Sequence, residues 1–411
     1  VSTTAVEPRS TWPAPAGRTW AFVTAWRGPP AQAGTLVGEI TDARTRKLHF
    51  DLYGPATASF TLDGRSASAP TIQELSQDLF AYRWNTATGQ QDMMFRGPIG
   101  TTRDTISETT HTLEVAASDY RAMYARTVVG ANTWTGQDQA YIAWGLTLPT
   151  QGGQAFPYNL GVSWDGVYNP DNSYNSIYNT GVPRDRAYVG SEKLADMLNN
   201  LAACQGGFDW GLLAADPRIW GAQVSAKMRL WYPQRGITQP FVAEYGVTVA
   251  SLTRQVQSTD FANWVRNDGQ ATGGTPLYTV SPGDVVTNPQ NHPEGLWQES
   301  ISNASTLVAA TLQQQGDGEL ALKSVLQPTY SIVLATGAWA GMATCWLGDT
   351  IELRVASGRL AVDTQVRIVA VDIDVDDDGV ELVTLTVGRP AVTLASLAND
   401  QNARLDALSR R

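Results

Sequence analysis

The run Asp374-Val375-Asp376-Asp377-Asp378-Gly379 holds the most suggestive chemistry in the chain, because carboxylates at alternate positions closed by a glycine open an EF-hand calcium loop. That loop takes a bidentate glutamate at its twelfth position, which here is Leu385, and it needs flanking helices where this chain has strand-like alternation. An acidic hairpin turn fits the residues better, with a looser surface calcium site as the alternative. The three histidines, His49, His111 and His292, have no HxH or HxxxH spacing for a metal, and His49 and His111 fall in runs where an ordinary strand position explains them. No G-x-S-x-G elbow and no glycine-rich phosphate loop precedes a helix. The sequence therefore predicts no catalytic residue, no metal site and no cofactor. Among 39 acidic residues many carboxylate pairs are conceivable, so glycoside hydrolysis stays open as a reading that only the fold can decide. The remaining candidates are Trp164, Tyr168, Tyr174 and Tyr178, which with Asp165 sit in a stretch dense in Tyr, Asn, Gly and Trp. Such rings stack on wall sugars or fill protein interfaces.

Charge and composition narrow the classes further. With 39 acids against 29 bases the net charge is −10, and no Lys/Arg-rich run occurs, which argues against a protein that holds nucleic acid by neutralising phosphates. An acidic surface lets DNA slide past without sticking, and it also serves plain solubility. Cys204 and Cys345 lie far apart in apolar settings and read as buried free thiols, in keeping with assembly in a reducing cytoplasm. The opening residues, Val1 to Glu7, have no basic and apolar leader pattern, and no 18 apolar residues run together. Neither a signal peptide nor a membrane-spanning segment is expected.

The elements that must position these residues divide the 411-residue chain into parts. Residues 1–17 are polar and proline-rich and read as an extended arm. Residues 18–130 carry short alternating runs, such as Leu48 to Asp51, Ala58 to Leu62 and Phe80 to Trp84, separated by Gly, Pro or Asp-Gly, and describe a compact antiparallel barrel. Within it, Thr71 and Glu74 have the spacing of a capping box opening a short helix. Residues 131–240 read as a mixed α and β unit, with a helix over Gln137 to Leu146 and a second one capped by Ser191, with Leu194, Met197, Leu198 and Leu201 on one face. Residues 241–390 read as a second barrel with a helical insertion. That helix places Ala304, Leu307, Val308, Thr311 and Leu312 on one face and is stopped by Gly316; Leu320 to Val325 follows as a strand, and a hairpin closes around Asp376 to Gly379. Over residues 391–411, Leu394 and Leu397 recur as Leu405 and Leu408 at a spacing of eleven on a polar, helix-compatible background. This narrow stripe predicts a C-terminal helix that packs on copies of itself or on a partner. The fold class is thus β-rich α+β and multidomain.

The order of the pieces resembles the tail hub proteins of long-tailed (siphovirus) bacteriophages, also called minor tail or baseplate hub proteins, of the type found in phages that infect actinobacteria. The resemblance rests on the Asp51 to Gly64 strand pair with Gly54-Pro55, Phe80-Ala81-Tyr82-Arg83-Trp84, Phe95-Arg96-Gly97 and Asp119-Tyr120-Arg121. It continues through Thr253-Arg254 to Asn263-Trp264-Val265, Leu347 to Leu353, and Val371 to Asp374 with Leu382 to Leu385. The resemblance implies two barrel domains like tail-tube subunits, a peripheral α/β domain, and a homotrimer whose ring adapts a sixfold tube to a threefold tip. It further implies as partners a distal tail protein ring, a tape measure protein and tail fibre or tip proteins, with DNA passing through unbound, and a place at the virion tail tip. The expected role is structural and noncatalytic. The rival expectation is a tail-tip protein that binds cell-wall polysaccharide through Trp164 and its neighbours.

Overall fold

The computed structural model describes residues 19–388, apart from 28–34, 86–88, 151–159, 205, 221–223, 257, 260, 272–274, 303–305, 307 and 325–327. The expected N-terminal arm, the C-terminal helix with Leu394, Leu397, Leu405 and Leu408, and the helix positions Ala304 and Leu307 lie outside the described residues.

Alternation builds the first half. Leu48 and Phe50 on the strand Arg44–Asp51, and Ala58, Phe60 and Leu62 on Thr57–Asp63, point inward and are buried, and the two strands pair as an antiparallel hairpin. A three-strand meander follows: Gln77–Asn85, Gln90–Ile106 and His111–Ser118. Its 17-residue middle strand changes partner along its length, pairing with Gln77–Asn85 as far as Pro98 and with His111–Ser118 from Ile99 onward. Gly97 stands at the changeover, where a Cβ would lie 2.1 Å from the Ser118 carbonyl oxygen, so only glycine lets the strand pass that close to its neighbour. His111–Ser118 returns to Thr57–Asp63, and Trp20–Trp26 covers the free edge of Gln77–Asn85. Thr71 and Glu74 open no helix here. With Pro70 setting a tight turn, Thr71 closes the 3-10 segment Ala69–Thr71 and donates its hydroxyl to the Ser68 carbonyl, while Glu74 accepts the Thr102 hydroxyl.

The same strand order recurs after residue 238. Val249–Gln255 pairs antiparallel with Thr329–Leu334, and a second meander runs through Thr350–Ser357, Leu360–Val375 and Glu381–Val387. Its 16-residue middle strand again changes partner, after Arg367. Glu381–Val387 returns to Thr329–Leu334, and Thr238–Glu244 covers Thr350–Ser357. The repeat differs from the first half in three ways: the covering strand is parallel rather than antiparallel, the strand Leu36–Glu39 beside Trp20–Trp26 has no counterpart among the described residues, and residues 256–328 interrupt the hairpin.

The halves fuse into one 13-stranded sheet, because Arg44–Asp51 pairs with the second part of Leu360–Val375 in a register that sets Phe50 opposite Val371 and Leu48 opposite Ile373. Their interior is continuous as well: Phe22, Phe60 and Phe95 belong to the same buried cluster as Ile332, Ile351 and Leu385. Where the sequence suggests two closed barrels, the hydrogen-bonded ladder among the described residues is open, ending at Leu36–Glu39, at Val249–Gln255 and, on a branch, at Thr238–Glu244. Two strands with matching apolar faces join edge to edge and satisfy their backbone groups by fusing the halves.

The peripheral unit has a four-stranded sheet made of Tyr174–Ser176, Val162–Tyr168, Ala226–Trp231 and Asp209–Ala214, and a two-stranded ladder of Asn132–Asp138 with Pro183–Tyr188. Leu194, Met197, Leu198 and Leu201 do form one buried stripe, packed with Ile142, Leu146, Val162 and Met228. Their helix, Leu194–Ala202, starts after Lys193 rather than at Ser191. The reason is Glu192, whose carboxylate takes the N–H groups of Val189, Gly190 and Ser191 and so organises the turn before the helix.

In the insertion, Trp264–Asp268 lies between Tyr278–Pro282 and Gln298–Ser302, and the helix Ala309–Lys323 packs on this sheet. That helix runs through Gly316 and absorbs Leu320 to Lys323, which the sequence suggests as the end of a helix and the start of a strand. Its contact face is polar: Gln313 Nε2 donates to Ser281 Oγ at 2.8 Å, Ser281 Oγ donates to Asp317 at 2.6 Å, and Asn267 Nδ2 donates to the Leu312 carbonyl at 2.7 Å. Gly316 is what allows this approach, since a Cβ there would stand 2.7 Å from Ser281 Oγ. Gly316→Ala gains about 1 kcal/mol of helix propensity, but the crowding costs about 1–3 kcal/mol. The expected net result is loss of amide protection over 309–323 in hydrogen exchange; protection that rises instead would refute the packing argument.

Candidate functional site

The four aromatic candidates do not form one surface. Opposite Ala226–Trp231, the register of Val162–Tyr168 slips between Trp164 and Gly166, leaving Asp165 as an extra residue. One extra residue reverses the side-chain alternation, so Trp164 and Tyr168 come to opposite faces of the sheet. Trp164 stacks on Tyr178 with ring centroids 6.2 Å apart, and Tyr178 meets Trp144 at 4.7 Å and Tyr141 at 6.1 Å. The Trp164 indole N–H is already donated to the Ile177 carbonyl at 2.7 Å. Tyr141 and Trp144 come from the helix Gln139–Thr147, started by Asp138, which accepts the Ala140 N–H at 2.8 Å. Sequence reasoning missed both rings, because in a short helix they read as ordinary core positions.

On the other face Tyr168 meets Tyr174 edge-on at 5.6 Å, and the Arg229 guanidinium lies 3.7 Å over the Tyr168 ring. Arg229 also donates to Asp165 at 2.6 Å, Lys227 reaches Asp165 at 3.2 Å, and the same ammonium sits 3.3 Å over Trp220. Burial works against charge on Asp165, but hydrogen bonding and attraction from Arg229 and Lys227 outweigh it and hold the carboxyl below its ordinary range. The signal for this cluster was present in the alternation Lys227-Met228-Arg229, cation–apolar–cation, opposite a single acid. Each ring here has a cation or a second ring against it, an arrangement that stiffens the unit.

The acidic run is a turn. Asp376 Oδ1 accepts the Val380 N–H at 2.8 Å, and Gly379 takes φ +85°, which joins Leu360–Val375 to Glu381–Val387. Among the described residues no group of three or more His, Cys, Asp or Glu side chains is arranged to hold a metal ion. Each histidine is paired with carboxylates. His49 Nδ1 lies 2.7 Å from Asp372 across the seam between the halves, a hydrogen bond that raises its pKa against the effect of burial. His111 meets Asp104 at 2.7 Å, and His292 lies between Glu294 at 2.7 Å and Asp284 at 3.2 Å. Cys204 and Cys345 are free and buried, and burial pushes the Cys345 thiol up to about 12.

The strongest polar groups tie the parts of the chain together. Arg83 grips Glu381 at 2.6 and 2.9 Å across the two halves, and Glu381 also accepts the Trp20 indole N–H at 2.8 Å. Arg96 pairs with Asp78 at 3.0 Å and donates to the carbonyls of Ala215 at 2.9 Å and Val224 at 2.7 Å, joining the first half to the peripheral unit. Arg367 joins the second half to Asp209 of the peripheral unit.

No protein-family model matches the chain, and comparison with curated proteins finds no matching relative. Solved structures do match over nearly the whole length. The 43 kDa tail protein of prophage MuSo2 from Shewanella oneidensis superposes with a TM-score of 0.58 at 13% identity, covering 90% of this chain and 98% of that one. A tail protein from Neisseria meningitidis gives 0.56 at 12% identity, over 92% and 98% of the two chains. The prophage tail protein gp18 from Listeria monocytogenes gives 0.54 at 12%, over 92% and 97%. The chain has the fold of these phage tail proteins. That fold is β-rich with several sheets. Among the described residues of this tail-protein fold, no helix is long and apolar enough to cross a membrane.

Proposed function

We propose that this chain is a noncatalytic structural protein of a phage tail, a homotrimeric hub at the distal end that adapts a sixfold tube to a threefold tip. The observation that carries this reading is the repetition of one strand order in residues 20–118 and 238–387 of a single chain. A chain holding two like units lets three copies present six around one axis, which matches two symmetries with one polypeptide. The likeness to three tail proteins supports the setting. A net charge of −10 suits a channel that DNA and a tape measure protein leave through without sticking. A distal tail ring on one side and a fibre or tip protein on the other are the partners this role requires, with the virion tail tip as the location. The wall-polysaccharide reading is weaker, because a sugar stacks on an open ring face and Arg229 covers that of Tyr168.

Light scattering on the purified full chain is expected to give three copies of the 44.3 kDa polypeptide, and cryo-EM of the virion to place them as one ring at the tail end. A monomer inside assembled particles, or a ring of six chains, overturns the proposal.

A further inference from the structure

Where the two halves meet the peripheral unit there is a cavity of about 170 Å³, with Phe50, Trp210 and Trp346 on its apolar side and Arg121 and Arg235 among its polar wall. Room for one water takes about 10–15 Å³ on this measure, so the space admits a small organic group. Arg121 is 6% exposed; its guanidinium lies 4.0 Å over Trp210 and donates from Nη1 to the Leu52 carbonyl at 2.9 Å. Arg235 lies 4.5 Å over the Trp231 ring, and among the described residues its guanidinium donates to no protein acceptor. A guanidinium carries five N–H donors. Both residues line the cavity, and among the described residues neither arginine is ion-paired with a carboxylate.

The other charged groups on the wall do not satisfy them. Asp51 Oδ1 accepts the N–H groups of Tyr53 and Gly54 at 2.7 and 2.9 Å, and Asp119 Oδ1 accepts the Arg121 N–H at 3.0 Å, so both acids attract Arg121 by charge without a hydrogen bond to its fork among the described residues. Arg96 is committed to Asp78, Ala215, Val224 and Ser225. Burial pushes Arg121 and Arg235 each down to about 10, as happens to a guanidinium whose counter-charge falls short of its desolvation.

We propose that this cavity binds a carboxylate carried on a short apolar stem, with the carboxylate held by Arg121 and Arg235 and the stem lying against Phe50, Trp210 and Trp346. Two planar forks suit a carboxylate, and the aromatic wall suits a few methylene groups. The carboxylate comes either from a free short-chain acid or from a glutamate side chain presented by another polypeptide. Occupation stiffens the junction, since Arg121 follows the first half, Arg235 precedes the second, and Trp210 belongs to the peripheral sheet.

The test uses the full chain in thermal unfolding, with sodium butyrate, its neutral isostere butyramide, and acetyl-glutamyl-amide, all against sodium chloride at equal ionic strength. Butyrate is expected to raise Tm saturably while butyramide does not, and Arg235→Gln is expected to weaken the effect at least tenfold. Stabilisation by butyrate alone assigns a free acid; stabilisation by acetyl-glutamyl-amide as well assigns a chain-borne carboxylate. Equal effects from butyrate and butyramide, no effect from either acid, or an undiminished effect in Arg235→Gln overturns the proposal. The butyrate and butyramide comparison needs only the parent chain, so it decides even if the variant misfolds. None of these outcomes depends on the chain being a trimer.

Discussion

Arg96→Ala lowers the unfolding free energy of the chain by about 3–5 kcal/mol and loosens the peripheral unit from the first half, because removing one partner of a buried ion pair strands the other. Arg96 is 3% exposed and Asp78 is 1% exposed. In the variant the Asp78 carboxylate keeps the Tyr120 hydroxyl at 2.7 Å, but its nearest cation becomes Arg27 at 3.9 Å. The carbonyls of Ala215 and Val224 lose their donor at the same time, and the Phe80 ring loses the guanidinium 4.9 Å above it. Urea unfolding followed by tryptophan emission measures the loss, and limited proteolysis is expected to cut first within the peripheral unit. The double variant Arg96→Met with Asp78→Leu is expected to recover more than half of it, since a pair replaced as a unit leaves no stranded charge. A single-variant loss under about 1 kcal/mol would mean that water already serves this pair.

That interface is one of three built alike. Arg83 with Glu381 and Arg367 with Asp209 each join parts of the chain that are distant in sequence, while Arg96, held by Asp78 on the paired strand, reaches the distant Ala215 and Val224 carbonyls; in each pair at least one side chain is largely buried. Arginine suits such places because its planar fork holds a carboxylate and a carbonyl at once in a fixed direction. Directional hydrogen bonds fix the position of one part against another where sliding apolar contacts do not.

Local elements were legible in the sequence; their partners were not. Leu48-Phe50 and Ala58-Phe60-Leu62 mark strands because period-two burial writes itself into residue type, and Leu194, Met197, Leu198 and Leu201 mark a helix for the corresponding reason. Alternation carries no information about which edge a strand will meet. The pairing of His49 with Asp372, which fuses the halves, therefore left no local trace. Likewise the aromatic density around Trp164 to Tyr178 pointed to the right region, but a single bulge at Asp165 divides those rings between two faces, and a bulge is a property of the ladder. Gly316 misled for a different reason. A glycine weakens a helix and marks a possible end, and the polar seat on Ser281 and Asn267 is what this helix gains by continuing.

Asp119→Asn, in contrast to Arg96→Ala, is expected to stabilise the chain at neutral pH. Asp119 is half-buried as a residue, yet its carboxyl group is enclosed, and desolvation raises its pKa from 3.8 to about 6 against the opposing pull of backbone N–H groups and Arg121. A folded-state pKa above the unfolded value means that the folded chain holds this proton more tightly. The associated stability is fully present below about pH 3.8 and is lost as pH rises through about 6. Two pKa units correspond to about 3 kcal/mol, already net of the attraction to Arg121, and the partial exposure of the residue reduces this to about 1–2 kcal/mol. Asparagine keeps the cap, since its side-chain oxygen still accepts the Arg121 N–H, and it carries no charge to desolvate. The stability difference between variant and parent is therefore expected to be near zero or negative at pH 3.5, to rise through pH 5, and to level off in favour of the variant by pH 7.5. Urea midpoints of both chains at those three pH values measure it. A difference that stays flat, or that favours the parent at pH 7.5, would show that the Asp119 carboxylate is well solvated or paired and that burial does not govern it.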